Sequence, residues 1–498
     1  MIQRVLVLGS GSAGLIAALS LKRKIPQLEV SIVRDPALGV IGVGEGTTPG
    51  FVTHLFDYLG IQRKRFYALA EPTWKLGVRF LWGPRGRFDY TFSSQIDLTW
   101  GDLPKPNGYY CDDEFSYVDL PAALMREDKA FARQTNGLPD IQPWHAFHME
   151  NEKLVATLEE IAKESGVGFI DGSVTGAERG ERGIAAIQLA DGRRLEADFF
   201  VDASGFRSEL LGKVLEEPYE SFGKTLFCDR AVIGGWDRTN EPILPYTTAE
   251  TMDHGWSWQI DHERHINRGY VYCSEMVSDD EAAAEFRSKN PKAPESPRIV
   301  KFRSGCYRRM WVDNVAAIGN SGGFVEPLEA TALMIVCSYC RTLTDFLLHS
   351  ELEPTDSFRD LFNEQTSHNW REIRDFLGLH YKLNSAGQTP FWRRCQEETD
   401  LSGIADLLAF YEENGPTGFC RYRMPSTLSD FGIEGYLVML VGNKAPYARR
   451  HSPTPQEKAI WERHRTYNLN RARQGVDVRE ALYYVHHPEW QWNADRPA

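Results

Sequence analysis

An α/β fold with mixed sheets and a mostly helical second lobe is what this chain predicts, and three observations carry it. Residues 4–20, RVLVLGSGSAGLIAALS, read as a buried strand, a glycine turn and a helix. Two later stretches, 197–211 and 311–336, again run a buried strand into a glycine-bearing turn and a helix. From residue 340 onward helical periodicity with aromatic stripes takes over and strands are few. At 498 residues the chain is too long for one simple core. Two lobes are expected, 1–340 and 341–498, the first carrying inserted strands.

The opening element has a continuous apolar run, Val5, Leu6, Val7 and Leu8, as a strand buried on both faces requires. Gly9, Gly11 and Gly14 follow at G-x-G-x-x-G spacing, with Ser12 and Ala13 starting the helix. Such a turn sets a pyrophosphate on helix-end amides: Gly9 for the tight turn, Gly11 for backbone approach, Gly14 for helix–strand contact. The second strand is EVSIV, residues 29–33, followed by Arg34 and Asp35. Asp35 either binds a ribose hydroxyl from a shifted register or caps a turn before Pro36. Residues 37–51, ALGVIGVGEGTTPGF, form a loop or strap in which Glu45 lies between Gly44 and Gly46.

Residues 51–70 read as helical, with Gly60 a break, and EPTWKLGVRFLW, residues 71–82, as a strand. Its alternation puts Trp74, Leu76, Val78 and Phe80 on one face and Lys75, Gly77 and Arg79 on the other. On that pattern alone Lys75 is a solvated strand lysine. Residues 83–135 are loop-rich and aromatic. A helix is expected over 148–167 and a strand meander over 168–198, turning at Asp191-Gly192. ADFFVDASGFRSELL, residues 197–211, with Asp202 at its strand end, looks like the second nucleotide-proximal crossover of glutathione-reductase-type flavoproteins. Residues 225–275 alternate as strands and hold Trp256, Trp258 and Ile260 at period two; 279–291 is a helix. In the third glycine segment a strand at 315–318 meets a Gly319-Asn320 turn.

Composition narrows the function classes. The formal charge is −13 and no block of Lys and Arg stands out, which argues against nucleic acid. The eight cysteines are scattered, and the single C-x-x-C, Cys337 and Cys340, lies in an apolar helical run without a second pair, so buried thiols are expected and no metal site. No apolar run approaches the ~20 residues of a membrane span, and the chain enters a strand soon after Met1, leaving no room for a signal peptide. A cytoplasmic protein that does not engage a membrane is expected. The oligomeric state, a homo-oligomer included, is left open.

Several of these segments together resemble one family, the flavin-dependent halogenases called tryptophan halogenases. GSGSAG is similar to its opening glycine box, GVGEGTTP (42–49) to its flavin strap, and WSWQI (256–260) to its W-x-W-x-I-P signature. GNSGGFVEPLEAT (319–331) is similar to its flavin and halide loop, and RDFLGLHY (374–381) to a recurring helix. Lys75, in TWKLGVRF, falls on its catalytic lysine. Two departures stand out. Asp261 replaces the signature proline, and Glu329-Ala330-Thr331-Ala332 stands where the family commonly has E-S-T-G.

The resemblance implies a reaction of reduced FAD, oxygen and halide, chloride or bromide. Hypohalous acid is guided through the interior to Lys75, which hydrogen-bonds it or forms a haloamine and delivers halogen to an electron-rich aromatic such as an indole. Glu329 assists, or caps the following helix. Trp256 and Trp258, with Phe92 joining them or lying in the core, separate flavin from substrate, and halide sits at Thr331 and Ala332. No second nucleotide unit is visible for NAD(P)H, so a separate NAD(P)H-dependent flavin reductase is implied. Two rivals share the flavin lobe, an aromatic monooxygenase and a non-catalytic flavin-binding protein. The W-x-W-x-I match opposes the first; Lys75 with Glu329 opposes the second.

Overall fold

A computed structural model of the chain describes residues 1–39, 44–96, 103, 111, 114–426 and 429–492. They group into two compact units: Met1–Glu71, Met149–Phe222 and Arg303–Trp370 form one, and Pro72–His148, Gly223–Phe302 and Arg371–Ala498 the other. The grouping does not follow a single cut at residue 340. The strands of 225–275 pair with Gly77–Leu81 and not with the opening strand, so they belong to the second unit.

The first unit is built on a six-stranded sheet in the order Trp311–Val312, Val315–Ala317, Phe199–Asp202, Arg4–Leu8, Glu29–Arg34, Gly168–Asp171. All pairings are parallel except that of Trp311–Val312 with its neighbour. The apolar run at 5–8 is central and buried, as a parallel strand covered on both faces should be. The helices Ser12–Lys24 and Thr331–His349 pack on each other. The meander expected over 168–198 forms from Val174–Gly180, Gly183–Leu189 and Arg194–Glu196 only, because Gly168–Asp171 pairs parallel with Glu29–Arg34 in the six-stranded sheet.

Two expectations are corrected here. After Asp202 no regular α-helix follows; Gly205–Arg207 is one 3-10 turn and Glu209–Val214 a π-helical turn, with Ser208 between them at φ +42°. An apolar run does reach membrane-span length: Leu328–His349 qualifies by length and composition, with mean hydropathy 1.3. Of its most apolar 18-residue stretch, 56% is buried inside the protein, which is the environment of a core helix. Cys337 and Cys340 lie on it as buried thiols, their pKa values raised by burial.

The second unit carries a seven-stranded sheet in the order Arg298–Lys301, Arg230–Asp237, His265–Tyr272, Gly255–Asp261, Thr247–Met252, Gly77–Leu81, Phe88–Thr91. The strand expected over 71–82 is two strands. Thr73–Lys75 pairs antiparallel with Ala146–Met149, and Gly77–Leu81 joins the larger sheet. Leu76 is the hinge: its N–H goes to the Pro245 carbonyl at 2.7 Å and its carbonyl accepts from Phe92 N–H at 3.3 Å. Among the later aromatics, Phe376, Tyr381, Trp392 and Tyr411 are core, while Phe410 is only half-buried.

Candidate active site

Three glycine contacts gather the nucleotide-proximal turns of the first unit. At Gly9, φ +114°, a Cβ would stand 2.4 Å from the Ala203 carbonyl oxygen, and at Gly14 one would stand 1.9 Å from the Gly9 oxygen. At Gly319, φ +76°, it would stand 2.8 Å from the Ala13 Cβ. The turns after Leu8, Asp202 and Ile318 are therefore drawn to one helix end. Gly11 differs: no atom lies within 4 Å of its Cβ position. No side chain caps the Ser12–Lys24 helix, so its first amides remain for an anion. This cradle fits a pyrophosphate-bearing dinucleotide such as FAD.

Asp202 shapes the cradle. It is buried and accepts from Ser204 N–H at 3.1 Å, Ser204 Oγ at 2.6 Å, Leu210 N–H at 2.8 Å and Leu211 N–H at 2.9 Å. Burial raises its pKa against those donors. Ser321 donates to its main-chain oxygen, which ties in the Gly319–Ser321 turn that holds Asn320. Asp35 caps a turn: Ala37 N–H reaches Oδ1 at 3.0 Å and Ser173 Oγ reaches Oδ2 at 2.6 Å. Gly44 adopts φ +71°, and burial pushes the Glu45 carboxyl up to about 7, with Asn151 Nδ2 at 3.4 Å. Residues 42 and 43 of the strap lie outside the described residues.

The third segment ends in strained backbone. Glu329 and Ala330 both hold left-handed conformations, φ +67° and +55°, which cost about 1–2 kcal/mol per non-glycine residue. They deliver the chain into the 19-residue helix Thr331–His349, which no side chain caps. Glu329 is buried and is not that helix's cap, so the capping alternative is corrected. Thr331 is buried and Ala332 exposed at the helix start. Unshared first-turn amides there favour an anion.

In the second unit Lys75 is 1% exposed, and the reading of a solvated lysine is overturned. Both faces of its strand are covered, which alternation alone does not reveal. Its Nζ lies 5.5 Å from the ring centroid of Phe92. On the paired strand, His148 faces Thr73 in register and its Nε2 meets Thr247 Oγ1 at 2.8 Å. Burial, then the charges of Lys75 and His262, hold His148 well below the usual histidine range. The sequence reading missed His148; its place in AFHM, on an apolar strand, was the available signal.

Trp256 and Trp258 lie buried on the Gly255–Asp261 strand, ring centroids 6.1 Å apart. Trp258 occupies the space over Gly269, where a Cβ would come within 2.0 Å of its ring. Asp261 is fully buried and pairs with Arg238 Nη2 at 2.6 Å, while Gln259 Nε2 donates to its other oxygen at 2.9 Å. The side chain of Asp261 is thus fixed on both oxygens. Beyond this, Arg79 is buried in a bidentate pair with Asp89, at 2.8 and 3.2 Å, and lies 4.0 Å from the Tyr246 ring.

Comparison with known proteins agrees with this geometry. The tryptophan halogenase family model matches residues 4–456. Tryptophan 7-halogenase KtzQ of Kutzneria sp. strain 744 is 32% identical over 462 residues, covering 86% of this chain and 84% of that protein. Among solved structures, MibH, a lanthipeptide tryptophan 5-halogenase, is similar at 36% identity and TM-score 0.88, over 98% of this chain and 94% of that one. BrvH, a flavin-dependent halogenase from Brevundimonas sp. BAL3, is similar at 26% identity and TM-score 0.86, over 97% and 99%. With a nucleotide cradle in one unit and a buried lysine among aromatics in the other, this chain belongs to the tryptophan halogenase family and is a flavin-dependent halogenase.

Proposed function

We propose that this enzyme uses reduced FAD, oxygen and halide to halogenate an electron-rich aromatic, most simply an indole, through Lys75. The observation that carries the reading is the burial of Lys75 beside Phe92 on a strand that itself carries no phosphate-binding feature. A lysine held dry needs a reason, since burying its charge is costly.

When bound, reduced FAD with oxygen supplies the oxidant that converts halide to hypohalous acid. Gly9, Gly11, Ser12, Ala13 and Gly14 hold the pyrophosphate, with Gly44, Glu45, Gly319 and Asn320 along the remainder; Asp35 and Asp202 act by fixing turns. The first-turn amides of Thr331 and Ala332 hold halide. Lys75 either donates a hydrogen bond to hypohalous acid or, as the neutral amine, forms an N–halogen bond with loss of water. The halogen then passes to a ring carbon; the ring proton is taken by a base, the role assigned to Glu329, and returned to the nitrogen, which restores the amine. Holding the oxidant beside one carbon is the larger part of catalysis. Trp256, Trp258 and Phe92 wall the substrate side.

Relatives whose names specify tryptophan support an indole substrate, and a separate NAD(P)H-dependent flavin reductase supplies reduced FAD in a cytoplasmic setting. The test is incubation with FAD, a reductase, bromide and an indole panel, scored by the bromine isotope doublet in mass spectrometry. Equal chloride and bromide in competition decide the halide. Bromide is expected to be used at least as well, because Ala330 and Ala332 remodel the loop; a strong chloride excess overturns that part.

A further inference from the structure

We propose that Glu434 and Asp119 are positioning residues that clamp the 91–96 turn and so set Phe92 against Lys75. Phe92 leaves the Phe88–Thr91 strand and enters a turn whose tip, Ser94, is exposed. A free turn of this kind would leave the ring's place relative to Lys75 to chance. Two carboxylates from helices outside the turn hold it instead.

Glu434, on the Gly432–Gly442 helix, accepts the N–H groups of both Gln95 and Ile96 on one oxygen, each at 2.6 Å. Such short charge-assisted bonds are among the stronger polar contacts in proteins. Asp119, at the start of the Leu120–Arg126 helix, accepts from the Ser93 hydroxyl and from Ala122 N–H at 3.0 Å. Between them the Gln95 side chain folds back, accepting from Thr91 N–H at 2.9 Å and donating to the Asp89 carbonyl at 3.0 Å. Gln95 and Ile96 are fully buried, so amides stripped of Glu434 would be left without water. The other side of the turn is fixed by Phe92 N–H on the Leu76 carbonyl, one residue after Lys75. Phe92 is thereby held from both flanks while its ring stays 5.5 Å from the Lys75 nitrogen.

The functional consequence rests on the halogenase reading above. Loosening the turn would leave oxidant formation intact, because no FAD-cradle residue lies on these elements, but would spoil capture of halogen by one ring carbon. Compare wild type, Glu434→Ala, Glu434→Gln and Ser93→Ala at matched FAD loading. Measure halogenated product, its regioisomer ratio, oxidant escaping to a freely diffusing 1,3-diketone trap, and amide hydrogen exchange across 91–96. Glu434→Ala is expected to cut product per oxidant on the order of tenfold, mix the regioisomers and speed exchange at 95 and 96. Glu434→Gln, which keeps an acceptor, is expected to recover much of this. If Glu434→Ala fails to fold, the Ser93→Ala and Glu434→Gln pair decides, with smaller changes of the same sign. Unchanged exchange, or an unchanged regioisomer ratio and product yield, overturns the clamp. Absence of any product from wild type refutes the halogenase reading instead, and the exchange measurement still decides the clamp.

Discussion

The hydroxyl of Thr73 donates to the main-chain carbonyl of Asp261 at 2.5 Å, tying the strand that carries Lys75 to the end of the strand that carries Trp256 and Trp258. The bond joins two segments that the sequence presents as unrelated motifs nearly two hundred residues apart. Main chain and side chain of Asp261 thus serve different partners. The carbonyl anchors Thr73, and the side chain turns to Arg238.

That side chain is the first point to test. The side chains of Arg238 and Asp261 are 2% and 0% exposed, and Arg238 also donates to the carbonyls of His262, at 2.9 Å, and Glu241, at 3.2 Å. Asp261→Ala leaves a buried guanidinium without its counter-charge, and a loss of about 3–5 kcal/mol is expected. The double variant Arg238→Met/Asp261→Ala should recover a large part of it, since no charge is then stranded. Urea unfolding of the three proteins checks this; a double variant no more stable than Asp261→Ala contradicts it.

The glycine turn separates folding from cofactor binding. Gly11→Val has open space for its side chain, so the fold should survive while the pyrophosphate position is filled. Gly14→Ala meets the Gly9 oxygen at 1.9 Å and should damage the fold itself. Circular dichroism with flavin titration reads both: a folded Gly11→Val that binds FAD as wild type does would refute the cradle.

Burial also predicts a pH dependence. Glu372 is 5% exposed, accepts from the Ser429 hydroxyl and from Asp430 N–H at 3.3 Å, and burial pushes its pKa from 4.5 up to about 7. The folded protein therefore keeps a proton that the unfolded chain has lost between those values. Its contribution is fully present below pH 4.5 and is lost as pH rises through about 7. Glu372→Gln, which carries no titrating proton, should match wild type near pH 4.5 and gain on it toward pH 8, by about 3 kcal/mol. Unfolding curves at the two pH values test the sign; a gain independent of pH rejects it.

Much of this was legible in the chain because it is local. The nucleotide turn needs only a strand, three glycines and a helix within residues 4–20, and the meander at 174–196 needs only period two and an Asp-Gly turn. What escaped depends on distant partners. Lys75 reads as solvated because alternation assigns faces without saying that both are covered, and the sheet change at Leu76 involves partners far along the chain, Pro245 among them. Glu434 carries no local signal, since its partners Gln95 and Ile96 lie 339 and 338 residues away. Left-handed Glu329 and Ala330 are invisible to propensity, which assigns such backbone to glycine.

Lys75 is the residue on which the functional reading stands or falls. Lys75→Ala should abolish halogenation while flavin binding and flavin oxidation by oxygen continue, because the cradle residues lie in the other unit. The burial of Lys75 makes a second variant necessary: alanine opens a cavity beside Phe92, and lost activity could then be blamed on packing. Lys75→Met keeps most of the stem's volume and removes only the amine. A loss of three decades in rate with Lys75→Met corresponds to about 4 kcal/mol of transition-state stabilisation, beyond what a packing change that leaves stability intact would give. Lys75→Arg should fail too, since a guanidinium is bulkier and does not form the same haloamine. Oxidant trapping adds the sign: in all three variants hypohalous acid should still form and should escape. Product formation, trapped oxidant and thermal midpoint, measured together for wild type and the three variants, decide the matter. Activity retained in Lys75→Met would show that the amine is not the reacting group and would leave Lys75 a packing residue.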